Sequence, residues 1–162
     1  MKPQELYQLA EEIFPICRSI TGEGVRKTLR ILQSYAPSIE IKEIPSGTPV
    51  FDWTVPPEWN IYEAYIENSK GQRILDFQTH NLMVVGYSYP MDEYLSLEEL
   101  KKIIYTQENQ PDVIPYVTSY YKKNSGFCMT HNQYKNLEED TYHAVIRSSV
   151  NSEGSLTYGV AY

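Results

Sequence analysis

Cysteine, histidine and clustered basic charge are scarce in this sequence of 162 residues, and each scarcity closes off a class of function. Only Cys17 and Cys128 occur, too far apart to read as a disulfide framework, a usage that fits a reducing compartment. With 14 Lys and Arg against 21 Asp and Glu the net charge is -7, and no basic run exists to release counterions from a phosphate backbone. Nucleic acid is therefore excluded as an expected partner. No apolar run approaches the roughly 18 residues of a membrane helix, and the start, Met1-Lys2-Pro3-Gln4-Glu5-Leu6, lacks a secretory core. The expectation is a cytoplasmic protein without a membrane partner. What is abundant is tyrosine, 15 residues against four Phe and two Trp, which favours surfaces that are half apolar and half hydrogen-bonding.

Both tryptophans fall in Phe51-Asp52-Trp53-Thr54-Val55-Pro56-Pro57-Glu58-Trp59. Pro56 and Pro57 exclude a helix interior or a central strand, so the segment reads as an edge strand or rigid loop presenting both Trp side chains. Phe51, Trp53 and Val55 alternate onto one face. A structural corner and a binding rim both fit this pattern.

Helical spacing of Leu6, Leu9, Ile13 and Cys17 predicts a first helix, with Pro3 in its first turn and Pro15 ending or kinking it. A second helix starts at Thr21 as N-cap, carries Val25, Leu29 and Leu32 on one face, and stops at Pro37. Ile39 and Ile41 mark a short strand. Residues 64–67 and 73–77 form a hairpin through Asn68-Ser69-Lys70-Gly71, and residues 82–89 a further strand. Ser96 with Glu99, stapled by Leu95 and Leu100, caps a helix over 97–105; Thr130 with Gln133, stapled by Met129 and Tyr134, caps one over 131–137. Tyr142, Ala144 and Ile146 alternate on a strand, as do Leu156, Tyr158, Val160 and Tyr162. That last strand wants a neighbour, from this fold or from another polypeptide. The fold class is α+β, two N-terminal helices before a mostly antiparallel strand-rich body with two short inserted helices.

Four constellations carry possible chemistry. Arg18, Ser19, Thr21, Gly22 and Gly24 at a helix start either hold a carboxylate or phosphate or simply turn the chain. Cys128, His131 and His143 have a chelating look, yet only Cys17 and His80 remain to complete a structural zinc, so no metal site is expected and Cys128 reads as a small core residue. Asp52 and Glu58 are an acid/base pair or, more simply, a turn residue and a solvated carboxylate. Ile114-Pro115-Tyr116-Val117-Thr118-Ser119-Tyr120-Tyr121 fits a pocket wall and a core strand equally.

Together the words Arg18-Ser19-Ile20-Thr21-Gly22-Glu23-Gly24, Phe51 through Trp59, Ile114 through Tyr121 and Gly126-Phe127-Cys128 resemble one bacterial family. It comprises uncharacterised proteins with an aminopeptidase-like domain, related to two-zinc exopeptidases and often linked to surface-polysaccharide gene clusters. The sequence departs from the family's pattern at Met83, where His usually follows Asn-Leu, at Ser125, where Trp usually precedes Gly-Phe-Cys, and at Val160, where an acid follows Tyr-Gly. The resemblance implies that residues 1–49 are the helical start of an aminopeptidase-like domain and 50–162 an inserted strand-rich domain with terminal strands. It also implies that the zinc ligands of longer members follow the matched stretch, so zinc belongs to the full-length family and no cofactor to this chain. The expected function is the N-terminal portion of a zinc aminopeptidase-like protein, non-catalytic alone, that positions substrate or binds a partner. That partner is a separate peptidase-like half, or a second copy joined through the C-terminal strand. Alternatives are a glycan or peptide binding module on an aromatic platform, and a decaying gene fragment. Candidate substrate-contacting residues are Arg18, Ser19, Asp52, Trp53, Glu58, Trp59, Tyr116, Thr118, Ser119 and Tyr120, with Tyr121 added for the platform.

Overall fold

Proline positions set the first two helices of the structure, a computed structural model that describes residues 3–161. Helix α1 (Pro3–Ile13) opens on Pro3 and stops two residues short of Pro15, which disfavours helical geometry in the residue before it. Cys17, expected on its face, lies beyond its end and is half-buried. Helix α2 (Glu23–Tyr35) ends before Pro37. Its N-cap is Gly22 rather than Thr21. The Thr21 hydroxyl is unavailable because it accepts the Trp59 N–H at 3.0 Å.

The remaining elements are β1 (Glu40–Pro45), β2 (Pro49–Val50), β3 (Trp53–Thr54), β4 (Glu58–Glu67), β5 (Arg73–Asp76), β6 (Met91–Ser96), α3 (Leu97–Lys102), β7 (Ile104–Tyr105), β8 (Phe127–Cys128), α4 (His131–Lys135), β9 (Thr141–Asn151) and β10 (Ser155–Val160). Helices combined with mainly antiparallel sheets make the fold α+β. The chain forms two compact units, residues 1–60 with 150–162 and residues 61–149; the boundary that the family resemblance implies lies at 49/50.

In the first unit β10 pairs antiparallel with β1, from Glu40 opposite Val160 to Pro45 opposite Ser155. The terminal strand thus finds its neighbour within the fold. Its phase differs from the expected one. Thr157 is the buried residue and Tyr158 is exposed, because the Thr157 hydroxyl turns toward Glu43 and donates to its carboxylate at 3.2 Å. Tyr162 lies outside the described residues. Strands β2 and β3 form a small hairpin whose loop, Phe51 and Asp52, places Phe51 at φ 53 with its ring fully exposed. Phe51 therefore does not share the face of Val55, which is buried at 1%.

In the second unit the sheet order is β5-β4-β9-β6. Period-two alternation gives it one apolar face, where Ala64, Ile66, Leu75, Tyr142, Ala144 and Ile146 meet Val84, Leu100, Ile104, Phe127 and Met129 in a single core cluster. Both capping boxes form: Ser96 with Glu99 opens α3, and Thr130 with Gln133 opens α4. Their staple residues Leu95, Leu100, Met129 and Tyr134 all join the core. The helices end early, at Lys102 and Lys135, and the residues expected to prolong α3 instead form β7, which pairs parallel with β8. The strand expected over 82–89 is absent. A 3-10 turn occupies Asn81–Met83, Tyr87 sits at φ 67, and single bridges link Gly86 to Thr118 and Ser88 to Asn124. Strand β6 was not anticipated, because its sequence Met-Asp-Glu-Tyr-Leu-Ser has little apolar alternation.

Candidate functional site

The first unit is organised around one guanidinium. Three residues into α2, Arg26 sends Nε to Glu43 at 2.8 Å, Nη1 to Glu23 and to Glu58 at 2.9 Å each, and Nη2 to Glu58 at 2.5 Å and to the Ser155 hydroxyl at 3.0 Å. All five of its donors have acceptors. Glu58 also accepts the Ser155 N–H at 3.1 Å and the Asn60 amide at 3.2 Å. The Arg26 hydrogen bonds hold the Glu58 carboxyl down at about 2, against the opposing effect of burial. Glu58 is therefore a half-buried, ion-paired carboxylate, ionised at neutral pH, and Asp52 is an exposed loop residue. Arg26 escaped the sequence reading. The only local signal for it was its place three residues after Glu23, and its other partners come from distant segments.

The start of α2 is filled by protein. The Glu23 N–H donates to the Asn60 side chain at 2.7 Å. A Cβ on Gly22, at φ 87, would lie 2.2 Å from the Trp59 carbonyl oxygen, and one on Gly24 would lie 1.9 Å from that of Cys17. These glycines allow chain segments to approach one another, the turning role of the two readings. Arg18 donates to the Ile13 carbonyl at the end of α1. The Ser19 hydroxyl is buried and has no hydrogen-bond partner among the described residues. Trp53 is half-buried, and Trp59, expected to be presented beside it, is 3% exposed in the core.

The tyrosine segment lies in the second unit and grades from core to surface. Tyr87 is buried, Tyr120 meets it edge-on at 5.0 Å, Tyr121 meets Tyr120 edge-on at 6.1 Å, and the Tyr116 and Tyr120 hydroxyls are 3.3 Å apart. Tyr116 and Tyr121 are 63% and 78% exposed. Ser119 donates to the Lys122 carbonyl at 2.6 Å, while the Thr118 hydroxyl is buried without a partner among the described residues. Here the sequence words do produce an aromatic rim, formed by Tyr116, Tyr120 and Tyr121 without either tryptophan.

The polar face of the second unit's sheet gathers residues that sequence spacing did not connect. Tyr94 stacks on His143 with centroids 4.3 Å apart, and His143 Nε2 meets Asp92 at 2.7 Å while Nδ1 lies 3.9 Å from Glu67. Beside them Arg73 covers the Tyr65 ring at 3.9 Å and bonds Glu63 and Asp76 at 3.0 Å each. A shallow groove of about 340 Å³ runs past Glu67, Ser69, Tyr94, Thr141 and His143. Cross-strand register brings Tyr94 opposite His143, and register is not readable from local spacing.

Zinc fits none of this. His80 Nδ1 accepts the Leu82 N–H at 3.2 Å, His131 Nδ1 bonds the Thr106 hydroxyl at 3.0 Å, and the two carboxylates near His143 flank opposite ring nitrogens rather than converging. Among the described residues no group of three or more His, Cys, Asp or Glu is placed to hold a metal ion. Burial pushes the Cys17 thiol up to about 11 and the wholly buried Cys128 thiol up to about 12, so neither is a ready thiolate. Among the described residues no helix is long and apolar enough to cross a membrane.

A protein from Clostridium acetobutylicum, provisionally named a polysaccharide biosynthesis protein with an aminopeptidase-like domain, is 54% identical over 158 residues, 98% of this chain and 36% of its own length. A crystal structure provisionally described as a peptidase from Clostridium acetobutylicum superimposes with a TM-score of 0.91 at 54% identity, over 96% of this chain and 36% of that one. The chain thus spans little more than a third of the relatives it matches. The family described as "Domain of unknown function (DUF2172)" matches residues 58–149, more than half of the sequence, and the chain belongs to that family.

Proposed function

We propose that this chain is the non-catalytic, partner-binding and substrate-positioning portion of an aminopeptidase-like protein of bacterial surface-polysaccharide metabolism, acting in the cytoplasm. The observation that carries this reading is that the described histidines, cysteines and carboxylates nowhere converge on a metal position, although the longer relative is named for an aminopeptidase-like domain. The hydrolytic zinc centre then belongs to sequence that this chain does not match, and residues 61–149 act as an inserted domain beside it. The purified chain incubated with zinc and aminoacyl chromogenic substrates is expected to give no turnover above the blank. Metal-dependent turnover would overturn the reading.

A second reading, a glycan or peptide platform, is favoured by the exposed rims of Tyr116 and Tyr121 around Tyr120. On a glycan and peptide array, any bound probe should be lost on Tyr116→Ala together with Tyr121→Ala. A silent array removes this reading.

A further inference from the structure

Helix α1 has a wider apolar face than its own unit covers. Leu9 is buried and Ile13 half-buried, but Leu6, Tyr7 and Phe14 are 52%, 67% and 63% exposed. Tyr7, Ala10 and Phe14 recur at i, i+3 and i+7, and Leu6 adjoins Ala10 at i+4, so the four side chains form one stripe. Phe14 belongs to it because its N–H donates to the Ala10 carbonyl at 2.9 Å, continuing the helical turn. The opposite arc is polar, with Gln4, Gln8, Glu11 and Glu12 all exposed. An amphipathic helix is stable when its apolar stripe faces a core, and here only the Leu9 side of the stripe does so.

The length of the relatives indicates what covers the rest. The same fold, at a TM-score of 0.91, sits inside a chain of which this one covers 36%. The greater part of that longer polypeptide is therefore available to pack on surfaces left open here. The helix also carries the exposed Glu11 and Glu12 and no Lys or Arg, so a complementary surface has an apolar centre with basic residues at its rim.

We propose that the Leu6, Tyr7, Ala10 and Phe14 face of α1 docks the aminopeptidase-like remainder of such a protein, the part these comparisons leave unmatched. The proposal rests on the partner-binding reading above and names its surface. The test titrates the full chain against the unmatched part of the Clostridium acetobutylicum relative, prepared as a separate polypeptide, or co-expressed with this chain if it is insoluble alone. A one-to-one complex is expected. Leu6→Asp combined with Phe14→Asp should weaken it by about thirtyfold or more, while Gln8→Asp on the polar arc leaves it unchanged. Both apolar targets are exposed, and an unaltered thermal midpoint checks that the variants fold. Binding that survives the double substitution overturns the α1 surface and leaves the partner-binding reading standing. No binding by the unsubstituted chain overturns both. Self-association of the chain that the double substitution abolishes assigns the face to a second copy and overturns the proposal. Metal-dependent turnover by the chain alone strikes only the functional reading.

Discussion

Replacing Arg26 with Met removes the hub of the first unit, and the structure sets the size of the effect. The Arg26 and Glu58 side chains are only 13% and 12% exposed, so their pairing is little screened by water. Depression of the Glu58 carboxyl from its ordinary 4.5 to about 2 corresponds to about 3 kcal/mol. Loss of one partner from a buried pair typically costs 3–5 kcal/mol, about the same figure. Glu23 and Glu43 are 67% and 50% exposed, and each contributes at most about 1 kcal/mol. The hydrogen bonds that lower Glu58 are the ones that raise Arg26, so the interaction is counted once. Arg26→Met should therefore destabilise the protein by about 3 kcal/mol at neutral pH. Because the folded carboxyl titrates below its unfolded value, this stabilisation is complete above pH 4.5 and is lost as pH falls to about 2. Urea unfolding followed by circular dichroism, repeated across that range, should show the gap between parent and variant closing toward the acid end. Adding Glu58→Gln to Arg26→Met should restore part of the loss by removing the orphaned charge. A cost below about 1 kcal/mol at neutral pH would refute the argument, since it would place the pair among ordinary surface ion pairs.

Gly22→Ala should cost about 3 kcal/mol or more, because its Cβ would meet the Trp59 carbonyl at 2.2 Å; Gly71→Ala, at φ 71 in open space, should cost about 1 kcal/mol, and equal losses in chemical denaturation would contradict the packing assigned to Gly22. Ser96→Ala should lower stability by about 1 kcal/mol through loss of the α3 cap, read as a shift in urea midpoint, and no shift would remove the cap's role. Iodoacetamide at neutral pH should leave Cys128 unmodified in the folded protein by intact mass and modify Cys17 only slowly, so rapid double labelling would contradict the burial of both thiols.

The features legible in the sequence are the local ones. The Ser96 and Thr130 boxes involve residues three apart, and the β4 to β5 hairpin is set by Asn68, whose side-chain amide oxygen accepts the N–H groups of Lys70 and Gln72 at 3.0 Å each. Features that depend on remote partners were not legible. Thr21 looks like an N-cap until Trp59, 38 residues away, takes its hydroxyl. Residues 82–89 have strand-like composition, but Val85 and Gly86 send their N–H groups to Gly126 and Val117 rather than along one ladder. The candidate site was legible in the same uneven way. The exposed tyrosines were visible as a cluster, the burial of Trp59 was not, and the Arg26 hub, beyond the neighbouring Glu23, draws acceptors from three remote segments that only the fold brings together.

Both tryptophans, the half-buried Trp53 and the buried Trp59, belong to residues 1–60, and residues 61–149 contain none. Excitation at the red edge, where tyrosine no longer absorbs, therefore makes the protein a single-unit optical reporter. Indole emission then reports from the unit of residues 1–60 and 150–162, which holds both rings. A mismatch between the fluorescence transition and the calorimetric one would then directly measure how independently the two units unfold.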